Sequence, residues 1–178
     1  IGVMLEEPAL YDRLSAREHL RFTGELFGLS TAEADARGEE LLRLLALDAD
    51  ADRLIVDYSQ GMRKKAALAL ALIHNPPVLF LDEPTTGLDP VSRVRVWDEV
   101  RRLNDELGMT IFLTTQYLEE ADTLADRVGI IDAGRLVAEG TPAELKRQVG
   151  ADVIVARVHE GDRSRAEQAL ERLGEHGH

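Results

Sequence analysis

Two neighbouring carboxylates, Asp82 and Glu83, close the apolar run Val78-Leu79-Phe80-Leu81. Acids so placed suit phosphate chemistry. One can hold a magnesium ion, often through water, while the next orients or deprotonates an attacking water. A strand ending in two solvated acids fits the same residues. A second feature is Ser59, which can cap a helix through Gln60, Gly61 and Met62. The free N–H groups and positive dipole end there form a natural anion site, although a plain capped helix also satisfies the pattern. Other polar residues stand at element ends: Glu6 after Ile1-Gly2-Val3-Met4-Leu5, Asp89 before Pro90, and Gln116 after Thr110-Ile111-Phe112-Leu113-Thr114-Thr115.

The elements that would position these groups are legible from pattern. Pro76-Pro77 bounds the run at Val78, which reads as a short buried strand delivering Asp82 and Glu83 at its carboxyl end, where open α/β sheets place ligands. Capping boxes at Ser15–Glu18 and Ser30–Glu33 open two helices. The first carries Leu20, Phe22, Leu26 and Phe27 and stops at Gly28; the second carries Leu41, Leu42, Leu44, Leu45 and Leu47. An acid-rich connector, Asp48 to Asp57, leads to Ser59 and a helix with Met62, Ala66, Ala69 and Ile73 on one face. Arg63-Lys64-Lys65 reads as a solvated side of that helix rather than a nucleic-acid patch. Asp89 and Pro90 read as N-cap and first helical residue of a helix striped by Val96, Val100, Leu103 and Leu107 and ended by Gly108. A helix around Leu118 to Ala125 precedes two short strands about Ala133-Gly134, a hairpin pattern. Thr141-Pro142-Ala143-Glu144 caps a further helix to about Val149. Val153 to Val158 reads as a strand and Ser164 to Leu173 as an amphipathic helix, the start of an accessory segment, 151–178. His176 and His178, without caging partners, read as a loose end.

At 178 residues one domain with a sizeable core is expected. A net charge of −12 argues against nucleic acid as the main partner. With no cysteine, disulfides and thiolate metal sites are excluded and the cytosol is permitted. The longest apolar stretch, Ala66 to Ile73, is too short to span a bilayer. Any membrane role is expected to come through a partner.

Three segments in order carry a family resemblance. Val78 to Pro90 resembles the Walker B and D-loop region of ATP-binding cassette (ABC) ATPases; Tyr58-Ser59-Gln60-Gly61-Met62-Arg63-Lys64-Lys65 resembles their signature motif; Leu113 to Asp122 resembles their switch region. The resemblance implies a P-loop NTPase-like α/β core sheet flanked by helices, with an inserted helical subdomain at about 9–75 and the Walker B to switch region at about 76–118, within a partial ATPase domain at 1–150. It places Ile1 to Leu5 at the strand entering the Q-loop. A fragment without the Walker A part is therefore expected, since no Gly-x-x-x-x-Gly-Lys-Ser/Thr loop occurs in these residues.

The resemblance also implies roles. Asp82 assists magnesium and Glu83 is the general base. Glu6 stands where relatives carry a metal-contacting glutamine, an exposed loop acid being the plain alternative. Ser59, Gln60, Gly61 and Met62 face the γ-phosphate of an ATP held by an opposite subunit. Asp89 crosses the dimer interface, or simply caps its helix. Gln116 replaces the usual histidine and contacts the γ-phosphate without a histidine titration. Gln60 departs from a Gly-Gly pair, so strain is expected there if that position needs positive φ. Leu10 and Tyr11 are candidates for contact with a membrane-spanning subunit, ordinary packing being the alternative.

The implied function is the ATP-binding and ATP-hydrolysing subunit of a transporter, with ATP and Mg2+ as ligands. A membrane-spanning subunit and a second ATP-binding subunit, in a homodimer, are the implied partners, and the inner face of the membrane the implied location. The Tyr-Ser-x-Gly-Met signature and Thr-Thr-Gln-Tyr switch resemble drug exporters of the daunorubicin-resistance type. The 178 residues alone are expected to be inactive. A non-catalytic module pairing with a complete cassette is the alternative. A chromosome-maintenance ATPase would need long heptads before its signature, and Ser15 to Asp57 is too short and contains Gly28 and Gly38.

Overall fold

The structure, a computed structural model, describes residues 1–149. Two compact units divide the chain, Ile1–Pro142 and Ala143–His178. The strand and helix expected within 151–178, with His176 and His178, lie outside the described residues.

Three short apolar runs form a parallel sheet in the order β1 (Gly2–Met4), β2 (Val78–Asp82), β3 (Thr110–Thr114). Register is fixed by the pleat: Met4 pairs with Leu81, and Leu79 with Ile111. Met4, Leu79 and Leu81 are buried on one face. A one-residue slip would turn all of them outward. The opposite face aligns Val3, Phe80 and Phe112 in one exposed row.

Between β1 and β2 run α1 (Ala16–Leu26), α2 (Thr31–Leu44) and α3 (Gln60–Leu72), the last two joined through single 3-10 turns at Asp48–Asp50 and Ile55–Asp57. Both expected capping boxes form. Ser15 and Ser30 each accept from the backbone N–H three residues on, and Glu18 and Glu33 reach back to the cap N–H. Close approach of α1 and α2 depends on small residues, since a Cβ at Gly24 would stand 2.8 Å from that of Ala34. The inner face of α1 is Ala16, His19, Leu20 and Gly24, and of the apolar residues noted in the sequence Phe22, Leu26 and Phe27 are exposed. Helical phase explains this: positions 16, 20 and 24 recur every four residues, and 22 and 26 fall opposite. Gly2 backs directly onto the Ala71 carbonyl of α3, leaving no room for a side chain.

The segment α4 (Pro90–Asp105) links β2 to β3, and α5 (Leu118–Leu124) follows. In α4, Val96, Val100 and Leu103 are buried, whereas Leu107 lies beyond its end and is exposed. The strands β4 (Val128–Asp132) and β5 (Arg135–Gly140) form the expected hairpin, and α6 (Pro142–Val149) closes the described chain.

Candidate functional site

The carboxyl end of β2 is built from hydrogen bonds across to β3. Thr114 Oγ1 donates to Asp82 Oδ1 at 2.6 Å. Glu83 N donates to the Thr114 carbonyl at 3.2 Å and to its hydroxyl at 3.1 Å. Directly after the strand the backbone turns sharply, and Glu83 takes a left-handed conformation with φ 46°. Such conformations persist in non-glycine residues only where surrounding contacts over-determine them. The turn aims the Glu83 carboxylate at two donors: Oε2 accepts from Thr86 Oγ1 at 2.8 Å and from the Gln116 backbone N–H at 3.3 Å.

Beneath this turn lies Lys64 of α3. Its side chain is buried, with the residue 7% exposed, and its Nζ donates to the carbonyl of Glu6 at 2.6 Å and of Glu83 at 3.0 Å. Burial lowers the ammonium below the usual lysine range, while the nearby Glu6, Asp82, Glu83 and Glu120 carboxylates pull it back up. The expected solvated face is thus corrected for two of its three residues. Lys64 turns inward, and Lys65 spans to the Leu45 carbonyl at 2.8 Å. Arg63 reaches Asp12 at 2.9 Å.

A second cluster gathers at the amino ends of α3 and α4. Ser59 Oγ accepts from Met62 N at 3.3 Å. Asp89 Oδ1 accepts from Val91 N and Ser92 N, each at 3.0 Å, and Oδ2 from the Ser92 hydroxyl at 2.6 Å. Those bonds, the Ser92 side chain's first, hold the Asp89 carboxyl below its ordinary pKa. A groove of about 150 Å³ runs beside them, lined among others by Ser59, Gly61, Lys65, Ser92 and Arg95. Gln60 is the first residue of α3 and is absent from the positive-φ residues, so the strain expected there does not arise. Its amide instead lies against Gly87, where a Cβ would meet Gln60 Oε1 at 2.9 Å.

The expected site residues therefore fall into two groups. Asp82, Glu83 and the Gln116 backbone meet at the ends of β2 and β3, with the Glu6 backbone joined through Lys64. Ser59, Gln60, Gly61, Met62 and Asp89 meet at the two helix starts. Among the described residues, no three His, Cys, Asp or Glu side chains could hold a metal ion, so Glu6, Asp82 and Glu83 do not form a cage. Magnesium ordinarily uses one or two carboxylates together with substrate phosphates, and Asp82 fits such a partial set. Leu10 is half-buried and packs against the core, whereas Tyr11 is exposed and stacks on His19 with centroids 5.7 Å apart.

Sequence reasoning missed Glu120. It is completely buried, and its Oε1 accepts from Thr85 Oγ1 at 2.8 Å and Trp97 Nε1 at 2.7 Å. It ties the loop after Glu83 to α4 and α5. Its only sequence signal was an acid in a first helical turn, the commonest place for a solvated one.

Comparison with known proteins follows the same lines. The family described as ABC transporter matches residues 1–86. The daunorubicin resistance ATP-binding protein DrrA3 of Streptomyces coeruleorubidus is 48% identical over 170 residues, 96% of this chain and 54% of that protein. The chain spans about half the length of the curated relatives it matches. Among solved structures, cbiO1 from Clostridium perfringens, part of the ABC transporter complex cbiONQ, has a TM-score of 0.75 at 27% identity, over 83% of this chain and 59% of its own. A dimeric post-hydrolysis state of the ATP-binding cassette MJ0796 bound to ADP and Pi has a TM-score of 0.71 at 25% identity, over 79% and 62%.

Proposed function

We propose that the chain belongs to the ABC transporter ATP-binding family and serves a subunit that hydrolyses MgATP to drive export of a drug or other small hydrophobic compound. The observation that carries this reading is the Glu83 turn. A left-handed glutamate at a strand's carboxyl end, its carboxylate bonded by Thr86 and Gln116, is an acid held in one orientation. That suits a general base, whose geometry matters before its pKa.

In this mechanism Glu83 accepts a proton from the water that attacks the γ-phosphorus. A new P–O bond forms to that water, the bond to the β,γ-bridging oxygen breaks, and ADP and phosphate leave. Asp82, oriented by Thr114, and Glu6 are the residues that would hold the magnesium arriving with the nucleotide, which would neutralise charge on the phosphates. Gln116 donates a hydrogen bond to phosphate as a neutral side chain. Across a dimer of two such subunits, Ser59 and the N–H groups of Gln60 and Gly61 receive the γ-phosphate of the opposite nucleotide, with Met62 N–H holding the Ser59 cap in place, and Asp89 lies at the interface. Electrostatic positioning supplies most of the rate. The dimeric cassette and the cbiONQ assembly support this arrangement by likeness.

Turnover requires a phosphate loop, which these 178 residues do not contain. Among the described residues no helix is long and apolar enough to cross a membrane. A membrane-spanning partner that carries the cargo, reached from the inner face of the membrane, belongs to the same proposal, and its support is the likeness to a subunit of the cbiONQ complex. The test is phosphate release from MgATP by the full reading frame encoding these residues. Magnesium-dependent turnover that falls at least about a thousand-fold in Glu83→Gln is expected, on the scale of losing a base in phosphoryl transfer. Turnover unaffected by Glu83→Gln would overturn the reading.

A further inference from the structure

We propose that Lys64 is a positioning residue for the hydrolytic step, holding the Glu83 main chain in its left-handed turn while tying it to the Glu6 backbone. The inference rests on the reading of Glu83 as base. It assigns a function to a residue whose sequence context suggested only a solvated helix face.

Three observations converge. Lysine is seldom buried without partners, yet Lys64 is 7% exposed and spends its donors on two carbonyls rather than on a carboxylate. Those carbonyls belong to Glu6 and Glu83, far apart in sequence, so one ammonium bridges the loop after β1 and the turn after β2. The Glu83 turn is the strained one, and its backbone is held on both sides. Its N–H is fixed by Thr114 and its C=O by Lys64. With the C=O released, the peptide following Glu83 is free to rotate and the carboxylate loses its aim at the water. A misplacement of that size lowers the rate of chemistry without changing how the nucleotide is bound.

Lys64 also lies on α3, four residues beyond Gln60 at its start, so the element whose amino end meets phosphate is the one that carries the ammonium to Glu83. The cation sits among the Glu6, Asp82, Glu83 and Glu120 carboxylates and offsets their mutual repulsion. Arginine preserves both the charge and the donors. Glutamine preserves donors alone, and methionine neither.

The experiment measures steady-state MgATP hydrolysis, with kcat and KM separated, and the thermal midpoint, for the full reading frame carrying Lys64→Arg, Lys64→Gln, Lys64→Met or Glu83→Gln. Expected is a kcat for Lys64→Met reduced about ten-fold or more with KM within about two-fold of wild type, and substantial recovery in Lys64→Arg. Lys64→Met turning over at the wild-type kcat would overturn the proposal, as would an arginine variant no better than methionine. If Lys64→Met does not fold, Lys64→Gln replaces it: a several-fold fall in kcat at unchanged KM supports the assignment, and a wild-type kcat rejects it. Glu83→Gln separates the two levels. Should it abolish turnover while every Lys64 variant remains wild-type, only the role of Lys64 fails; should it do nothing, the base assignment fails first.

Discussion

Glu83 and Lys64 show how differently two residues of one site announce themselves. Asp82 and Glu83 stand out in the sequence because they close an apolar run flanked by further motifs, and strands deliver their ends to one place. Lys64 could not. Successive residues on a helix point about 100° apart, and only the packed phase of α3 decides which of Arg63, Lys64 and Lys65 turn inward. His19 is a similar case, since nothing in the sequence marks it as buried. Tyr11 N–H donates to its Nε2 at 2.8 Å, so the Nδ1 nitrogen carries the proton and donates to the Ser15 carbonyl at 3.0 Å. Burial pushes its pKa below the ordinary histidine value, the Ser15 contact and Glu18 opposing. The unfolded chain then takes up a proton first. Stability from this residue is complete above about pH 6.5 and is lost as pH falls towards the lowered folded value. Thermal midpoints between pH 7.5 and 5.5 should therefore fall more steeply in wild type than in His19→Gln. Parallel slopes would show that His19 contributes nothing to the acid sensitivity.

Among the elements, helix starts were the best-read features because caps are local chemistry: Ser15, Ser30, Ser59 and Asp89 all cap as their neighbours in sequence require. The inward face of α1 is not legible from its apolar residues alone, because Phe22 and Leu26 are apolar without being inward, a distinction that tertiary packing makes. Contact between α3 and the loop before α4 was likewise invisible from spacing. Gly87 has φ 80°, and its missing side chain accommodates the Gln60 amide. Gly87→Ala should cost about 1–2 kcal/mol from the left-handed backbone alone, with a further steric part. Combining it with Gln60→Gly should recover the steric part and leave the rest, a coupling that denaturant unfolding of the four proteins in a double-mutant cycle would measure. Strict additivity would argue that the two side chains do not meet. Ser59→Ala, by removing the cap, should cost about 1 kcal/mol in the same assay.

For the molecule as a whole, family and fold were legible because three motifs stand in order on elements whose ends converge. The two groups of site residues make a further point at this scale. The Glu83 turn and the starts of α3 and α4 form two clusters, and α3 reaches both, through Gln60 at its start and Lys64 one turn on. On the proposed roles, one chain would offer its base at one place and its anion-binding helix start at another, as head-to-tail pairing of two copies would use them. Pairing of this kind should be nucleotide-dependent: sedimentation of the full-length Glu83→Gln protein should show dimer with MgATP and monomer without it, and Ser59→Ala should weaken the dimer. The most direct test of the central claim concerns the chemistry itself. Glu83→Gln and wild-type full-length protein would be incubated with MgATP, separated rapidly from free nucleotide, and the bound nucleotide identified. ADP on the wild type and intact ATP on Glu83→Gln is the predicted result; ADP appearing on both at the same rate would contradict it.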